Sequence, residues 1–492
     1  MPLNSHVSTD VFLHIPPSLN RDQLISSQFP AGDGGSSFSS GEGRKNPVQQ
    51  HRKRQRRKVT VLFFIPGNPG LIGYYHPFLS LLVQGMNDRK REVVVAGFSL
   101  GGFDVDVESQ IGGKNEVTSH EEESRKCEMK NLLYPLLYSS PHPQPRGGPS
   151  GHAEGKTDEA NDDSSSNQGK LYTLREQIDL SYARVKNLLR RLWKEQCSIG
   201  LEEEQDGEPF KVILMGHSVG TYIALELVRL WHERHSDPPA LHTSPPLASP
   251  YLQTGSNIWI ISCCVLLAPT LVDIHLSPSG RLATPLLTSI PLLSASLPRL
   301  AHALLHSALV KALPSHWFTW LIRKVTGMQP GTHGFEITVA FLHSKRGVKQ
   351  ALFMAGMEMM EIRADRWGDE IWGASTTIEA SDADRFRERG ARSPSLYLLF
   401  ARRDHWIAEA TREEIIQKRG RGPVEGVDSV KARAGTESVP PRQRNIEKGR
   451  PTTPTIRMAV MDGLVHAWCL AQNEIVAQQV RGWLEEVLGQ DS

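Results

Sequence analysis

Hydrophobic residues in this chain come in short unbroken runs, separated by amphipathic stretches and by long polar ones. Val59 to Ile65 is a run of β-branched and aromatic residues, stopped by Pro66-Gly67-Asn68-Pro69-Gly70. That pattern predicts a buried strand and a tight turn. Runs of the same kind recur in "REVVVAGFSL", "FKVILMG", "IWIISCCVLLAP", "SLYLLFARRD" and "TIRMAVMDG". Between several of them the apolar spacing changes to threes and fours. Leu171, Leu174, Ile178, Tyr182, Val185, Leu189 and Leu192 form one such stripe; Tyr75, Phe78, Leu79 and Leu82 form a second; Ala224, Val228 and Trp231 form a third. These are helices with one apolar face. Strands apolar on both faces, alternating with helices, predict a mostly parallel sheet covered on both sides. Residues 281–360 break the rhythm. They are Leu-rich, punctuated by prolines and predicted helical, as an inserted cap or lid would be.

Four polar stretches, 1–58, 139–170, 234–256 and 416–453, lack the apolar residues needed to offset the entropy of ordering. They read as solvated loops or disorder. A length of 492 residues admits two or three domains. The polar stretches reduce the expectation to one domain in two parts, 59–280 and 361–492, with the cap 281–360 between them and a disordered extension 1–58 in front. No apolar run approaches the ~20 residues that span a bilayer, and no secretory signal opens the chain. A net charge of +2 steers nothing towards nucleic acid. The basic run His51 to Lys58 reads first as a solvated linker, with a nuclear signal or a patch for anionic lipid as alternatives. The five cysteines fit neither a metal site nor a disulfide framework. Cys263 and Cys264 lie in an apolar run and read as core, which suits a reducing compartment.

Candidate chemistry lies at the ends of the predicted strands. Gly216-His217-Ser218-Val219-Gly220 has the pattern G-x-S-x-G, and so has Gly97-Phe98-Ser99-Leu100-Gly101. A nucleophile elbow needs a strand before the serine and a helix after it. Ser218 has both. Ser99 is followed by "GGFDVDVESQIGG", without a helical stripe, and reads as a turn residue at the rim of the site. A serine hydroxyl needs a histidine to take its proton and an acid to orient that histidine. On a sheet of this kind the acid and histidine follow the serine in that order. Asp404 ends the fifth run and His466 follows the sixth, which makes them the acid and the base. Asp462 is too local to His466 to match, while His405 and His217 read as positional. The oxyanion hole needs backbone N–H groups. Val219 supplies one. Pro66 and Pro69 have none to give, which leaves Asn68 as the second donor, Gly70 in reserve and Gly67 for the close turn. No metal or organic cofactor is required.

The blocks "FFIPGNPGLIGYYHPFL", "MGHSVGTYIALEL", "LLAPTLVDIHLSPSGRL", "ALFMAGMEMMEI", "LLFARRDHW" and "GLVHAW" resemble the lipid droplet-associated hydrolase family of the α/β-hydrolase superfamily. The resemblance runs from about Val59 to the C-terminus and leaves out the polar stretches. It implies an α/β-hydrolase fold and a serine hydrolase of lipid esters, sterol esters among them, with Ser218, Asp404 and His466 as its triad. The location implied is the cytoplasmic side of the lipid droplet surface, or the endoplasmic reticulum membrane. A droplet coat or scaffold with negligible turnover is the alternative, and a hydrolase of small polar substrates a third reading. The partners expected are a neutral-lipid ester and the droplet monolayer. The segment 284–327 is the expected docking surface. It is apolar, carries Trp317 and Trp320 with the pair Arg323 and Lys324, and is broken by prolines at 285, 291, 298 and 314 into pieces too short to span.

Overall fold

A computed structural model describes residues 5–19, 59–89, 91–103, 105, 170–198, 210–236, 259–288, 299–300, 303–304, 313–344, 346–372, 393–420 and 456–489. Eight strands form one sheet: β1 (His6–Ser8), β2 (Val11–His14), β3 (Thr60–Ile65), β4 (Val93–Phe98), β5 (Phe210–His217), β6 (Trp259–Leu267), β7 (Ser395–Ala401) and β8 (Ile456–Met461). Their order is β1-β2-β4-β3-β5-β6-β7-β8. β4, β3, β5, β6, β7 and β8 are parallel, and they are the six apolar runs of the sequence. Almost every residue of β3, β4 and β7 is buried, as strands covered on both faces require.

The helices are α1 (His76–Asp88), α2 (Leu174–Ser198), α3 (Val219–Ser236), α4 (Pro278–Thr288), α5 (Ser315–Thr326), α6 (His333–His343), α7 (Gly347–Glu361), α8 (Glu409–Arg419) and α9 (Asn473–Gly489). The chain steps outward from β3 to β4, then back past β3 to β5. Right-handed crossovers therefore put α1 and α2 on opposite faces of the sheet. The stripe on α2 is buried from Leu174 to Leu192. Its first turn is closed by a capping box: Thr173 Oγ1 accepts from the Glu176 N–H at 3.2 Å, and Glu176 Oε2 accepts from the Thr173 N–H at 2.9 Å. α9 clasps α1 through an Arg89–Glu485 ion pair at 2.7 Å and a bond from Arg91 Nη1 to the Leu488 carbonyl at 3.2 Å. α4 to α7 are inserted between β6 and β7. Part of this cap joins the main core through Ile337, Met354 and Met359, while Phe318, Ile322 and Phe335 form a small cluster of their own.

Three boundaries differ from the sequence reading. The extension 1–58 is not wholly disordered, because β1 and β2 form a hairpin whose second strand pairs antiparallel with β4. Val11, Phe12, Leu13 and Ile15 are buried against the main core. Three apolar residues in β2, with Ile15 just beyond it, anchor the hairpin to the sheet, but a compositional window dominated by Ser, Gly and Pro hides them. α3 runs to Ser236, into the stretch 234–256, and α8 runs to Arg419, into the stretch 416–453. In both cases a helix outlasts its apolar stripe. The segment 139–169, and within 284–327 the residues 289–298, 301–302 and 305–312, lie outside the described residues.

Candidate active site

β5 ends at His217 and α3 begins at Val219, so Ser218 alone makes the turn between them. Its φ is 53°, in the left-handed region that non-glycine residues avoid. The flanking glycines follow from the same geometry. A Cβ on Gly216 would fall on the Gly220 backbone, and one on Gly220 would fall on the Ile65 carbonyl of the neighbouring strand. The Ser218 N–H bonds the Leu267 carbonyl at 3.1 Å, and the Ser218 carbonyl accepts from the Thr221 N–H and hydroxyl at 2.9 and 2.6 Å. The strained turn is thus held on both sides, with Oγ at the carboxyl ends of the strands, beside the point where strand order reverses.

The other two candidates meet it there. His466 Nε2 is 2.9 Å from Ser218 Oγ, and His466 Nδ1 is 2.9 Å from Asp404 Oδ2. The Asp404 side chain is 2% exposed, and its second oxygen accepts from the Trp406 N–H at 2.7 Å. Arg412, itself buried, donates to the carbonyls of Ala401 and Arg402 and fixes the start of the acid loop. Asp462 does not compete. Its side chain is 71% exposed and pairs with Arg402. His405 is exposed, and its carbonyl accepts from the Ser279 N–H at 2.8 Å. The loop carrying His466 is braced from outside by Gln472, which accepts from the Val465 N–H at 2.9 Å and donates to the Gly463 carbonyl at 2.8 Å.

The loop after β3 supplies the opposite wall. A Cβ at Gly67 would meet Ser218 Cβ at 2.9 Å, so only glycine permits this approach. The next peptide bond, Asn68-Pro69, is cis. The Asn68 amide donates to the Ala351 carbonyl and to Glu358 Oε1, both at 3.0 Å, and so ties this loop to α7. Gly70 faces elsewhere. Its carbonyl accepts from the Leu100 N–H at 2.7 Å, and a Cβ there would meet Leu100 and Phe103, which packs this end of the loop against the segment after β4. Ser99 is not at the rim of the site either. It is fully buried, its hydroxyl accepts from the Ile72 N–H at 3.2 Å and its carbonyl from Arg184 at 2.7 Å. Its role is to join the hairpin side of the sheet to the turn before α1.

A cavity of about 420 Å³ lies against these groups. Asn68, His217 and His466 line it, together with Phe318, Ile322, Phe341 and Leu342 of α5 and α6. Val325 lines it as well and is 76% exposed, so the cavity reaches the surface beside α5. Two buried groups near the site have ionisation far from the ordinary. Burial pushes the Glu358 carboxyl up to about 8, against a smaller opposing pull from Asn68. Burial also holds His217 well below its usual value. Neither Glu358 nor Tyr75 was marked out by sequence pattern as a member of the site. The only signals are an acid inside the apolar run "ALFMAGMEMMEI" and a pair of tyrosines after the Pro-Gly turn.

A mostly parallel sheet of this order, with a strained serine elbow at its carboxyl ends, defines an α/β-hydrolase. The sequence profile of the family described as lipid-droplet associated hydrolase matches residues 58–128 and 148–469. The chain belongs to that family, and it is a hydrolase. Among solved structures it is similar to a carboxylesterase of the ammonia-oxidizing thaumarchaeon Nitrososphaera gargenis, at 11% identity and a TM-score of 0.37, over 89% of this chain and 94% of that one. It is also similar to the peroxisomal α/β-hydrolase Lpx1 of Saccharomyces cerevisiae, at 12% identity and a TM-score of 0.37, over 89% of this chain and 79% of that one. A third is the haloalkane dehalogenase DbeA of Bradyrhizobium elkani USDA94, at 10% identity and a TM-score of 0.39, over 89% and 93%. Likenesses this remote carry no argument about substrate.

Proposed function

We propose that this protein hydrolyses lipid esters at the lipid droplet surface through an acyl-enzyme on Ser218. The observation that carries the reading is the row Asp404–His466–Ser218, two hydrogen bonds of 2.9 Å, whose His466 lines an apolar cavity open to the surface. Ser218 Oγ attacks the ester carbonyl carbon while His466 Nε2 takes its proton. Asp404 stabilises the imidazolium and holds it in orientation. The oxyanion is met by the N–H groups of Asn68 and Val219. As the tetrahedral intermediate collapses, His466 returns the proton to the alkoxide, and the alcohol leaves. Water then attacks the acyl-enzyme by the same route and frees the acid and Ser218. The acyl chain occupies the lining of α5 and α6, where neutral lipid, sterol esters included, enters directly from an apolar surface. No step calls for a metal or an organic cofactor.

Labelling with a fluorophosphonate probe, alongside hydrolysis of a short-chain ester, tests this reading. Wild type is expected to label and turn over, Ser218→Ala to do neither, and Asp404→Asn to lose about 10³- to 10⁴-fold in kcat. Labelling that persists in Ser218→Ala sinks the assignment. A coat or scaffold role would appear instead as a Ser218→Ala protein that retains its full effect on cellular neutral lipid.

A further inference from the structure

His217 lies beneath the loop that carries His466, and its two ring nitrogens have different partners. Nε2 is 2.8 Å from the His466 carbonyl oxygen, and Nδ1 is 2.7 Å from the Tyr75 hydroxyl. The Tyr75 oxygen in turn is 3.0 Å from the Gly67 N–H. Only one set of proton positions satisfies all three contacts. A carbonyl can only accept, so Nε2 carries a proton. Burial keeps the imidazole neutral, so it carries one ring proton and Nδ1 is bare. Nδ1 therefore accepts from the Tyr75 O–H. The Tyr75 oxygen, its own proton engaged, accepts from Gly67.

We infer that His217, as the Nε2–H tautomer, is a positioning residue: with Tyr75 it forms a one-way hydrogen-bond chain from Gly67 to the His466 carbonyl. This rests on the reading of Ser218 as nucleophile and His466 as base. The chain spans the two walls of the site. One end holds the Gly67 N–H, one residue before the proposed oxyanion donor Asn68; the other holds the backbone of the base itself. Gln472 braces the base loop only from the solvent side, so His217 is its inner support. Packing restrains the same ring: its centroid lies 5.3 Å from Trp468 and 5.2 Å from His466. A neutral ring at that distance also spares the imidazolium of His466 a like charge.

Two measurements on the full chain decide the matter. The first is the tautomer of His217 in ¹⁵N-histidine-labelled protein at neutral pH, assigned by difference from His217→Leu. A proton on Nε2 with Nδ1 bare is expected, and a proton on Nδ1 overturns the chain. The second is kcat for a short-chain ester, counted per site titrated with fluorophosphonate, which removes misfolded protein from the count. His217→Leu is expected to lose about 10- to 100-fold in kcat with KM little changed, as a displaced base would. His217→Gln, whose amide N–H can reach the same carbonyl, is expected to recover most of that loss. A His217→Leu enzyme with wild-type kcat per site overturns the positioning role. The two readings fail separately. A wild type that never labels removes the hydrolase assignment, while the tautomer still decides whether the chain exists.

Discussion

Glu358 is the residue whose ionisation most plainly answers to its surroundings. In the unfolded chain its carboxyl titrates near 4.5, and in the folded protein burial raises it to about 8. Between those values the folded state holds a proton that the unfolded state has released. Stability is therefore expected to fall as pH rises through about 4.5 to 8, by something on the order of a few kcal/mol. Glu358→Gln keeps an acceptor for Asn68 and removes the titration, so its stability is expected to stay flatter over the same window. Urea midpoints at pH 5.5 and 8.5 for both proteins check this, and equal slopes would refute it. The contrast with Ser218, Asp404 and His466 is instructive. Those three are legible in the sequence because each follows a predicted strand and their order along the chain is the one a sheet of this kind uses. Glu358, Tyr75 and the bonding of His217 are contacts between segments far apart in sequence. An acid among methionines reads as the solvent side of a helix until the loop after β3 is seen against it.

At the scale of elements, the six parallel strands were legible as unbroken apolar runs, and α2 as the stripe from Leu174 to Leu192, because burial on both faces and a helical period leave direct marks on sequence. The hairpin left no such mark. Its inner strand is four residues long, and its partner, β4, is distant in the chain. Asp10 accepts from the Ser99 N–H through its carbonyl and from the Val105 N–H through its carboxylate, which pins the turn of the hairpin to the segment after β4. Leu13 is fully buried between them. Leu13→Ala is expected to cost about 2–5 kcal/mol, the range for a truncated core side chain. Chemical denaturation of full-length protein measures it. A change below 1 kcal/mol would mean that the hairpin is an ornament on the sheet edge rather than part of its core.

The whole molecule has two faces of different character at the cap. Inside, Phe318 and Ile322 of α5 are buried against Phe335. Outside, Trp317 and Trp320 of the same helix are 54% and 55% exposed; elsewhere in the cap Leu282 and Leu286 of α4, Leu300 and Leu304 are exposed. Arg323 and Lys324 close the helix on its solvent side. No helix among the described residues is long and apolar enough to cross a membrane. We propose that this face lies in the droplet monolayer, with its tryptophans at headgroup depth and its basic pair among the phosphates. Replacing both Trp317 and Trp320 with alanine is expected to weaken binding to phosphatidylcholine-coated triolein emulsions by about tenfold or more. Turnover of a water-dispersed short-chain ester should change little, since neither side chain lines the cavity. Flotation that is unchanged in the double variant would sink the docking proposal and leave the site untouched.

The placement of His466 has a consequence in time. β8 is the last strand in the chain and an edge of the sheet, and the base follows it. During synthesis Asn68 and Ser218 leave the ribosome early, and Asp404 later. His466, which takes the Ser218 proton, emerges after all three, just ahead of the helix that clasps α1. On the proposed mechanism a nascent chain that has not yet reached His466 carries a nucleophile that nothing activates. A message interrupted anywhere between Asp404 and His466 yields a protein with serine and acid but no base.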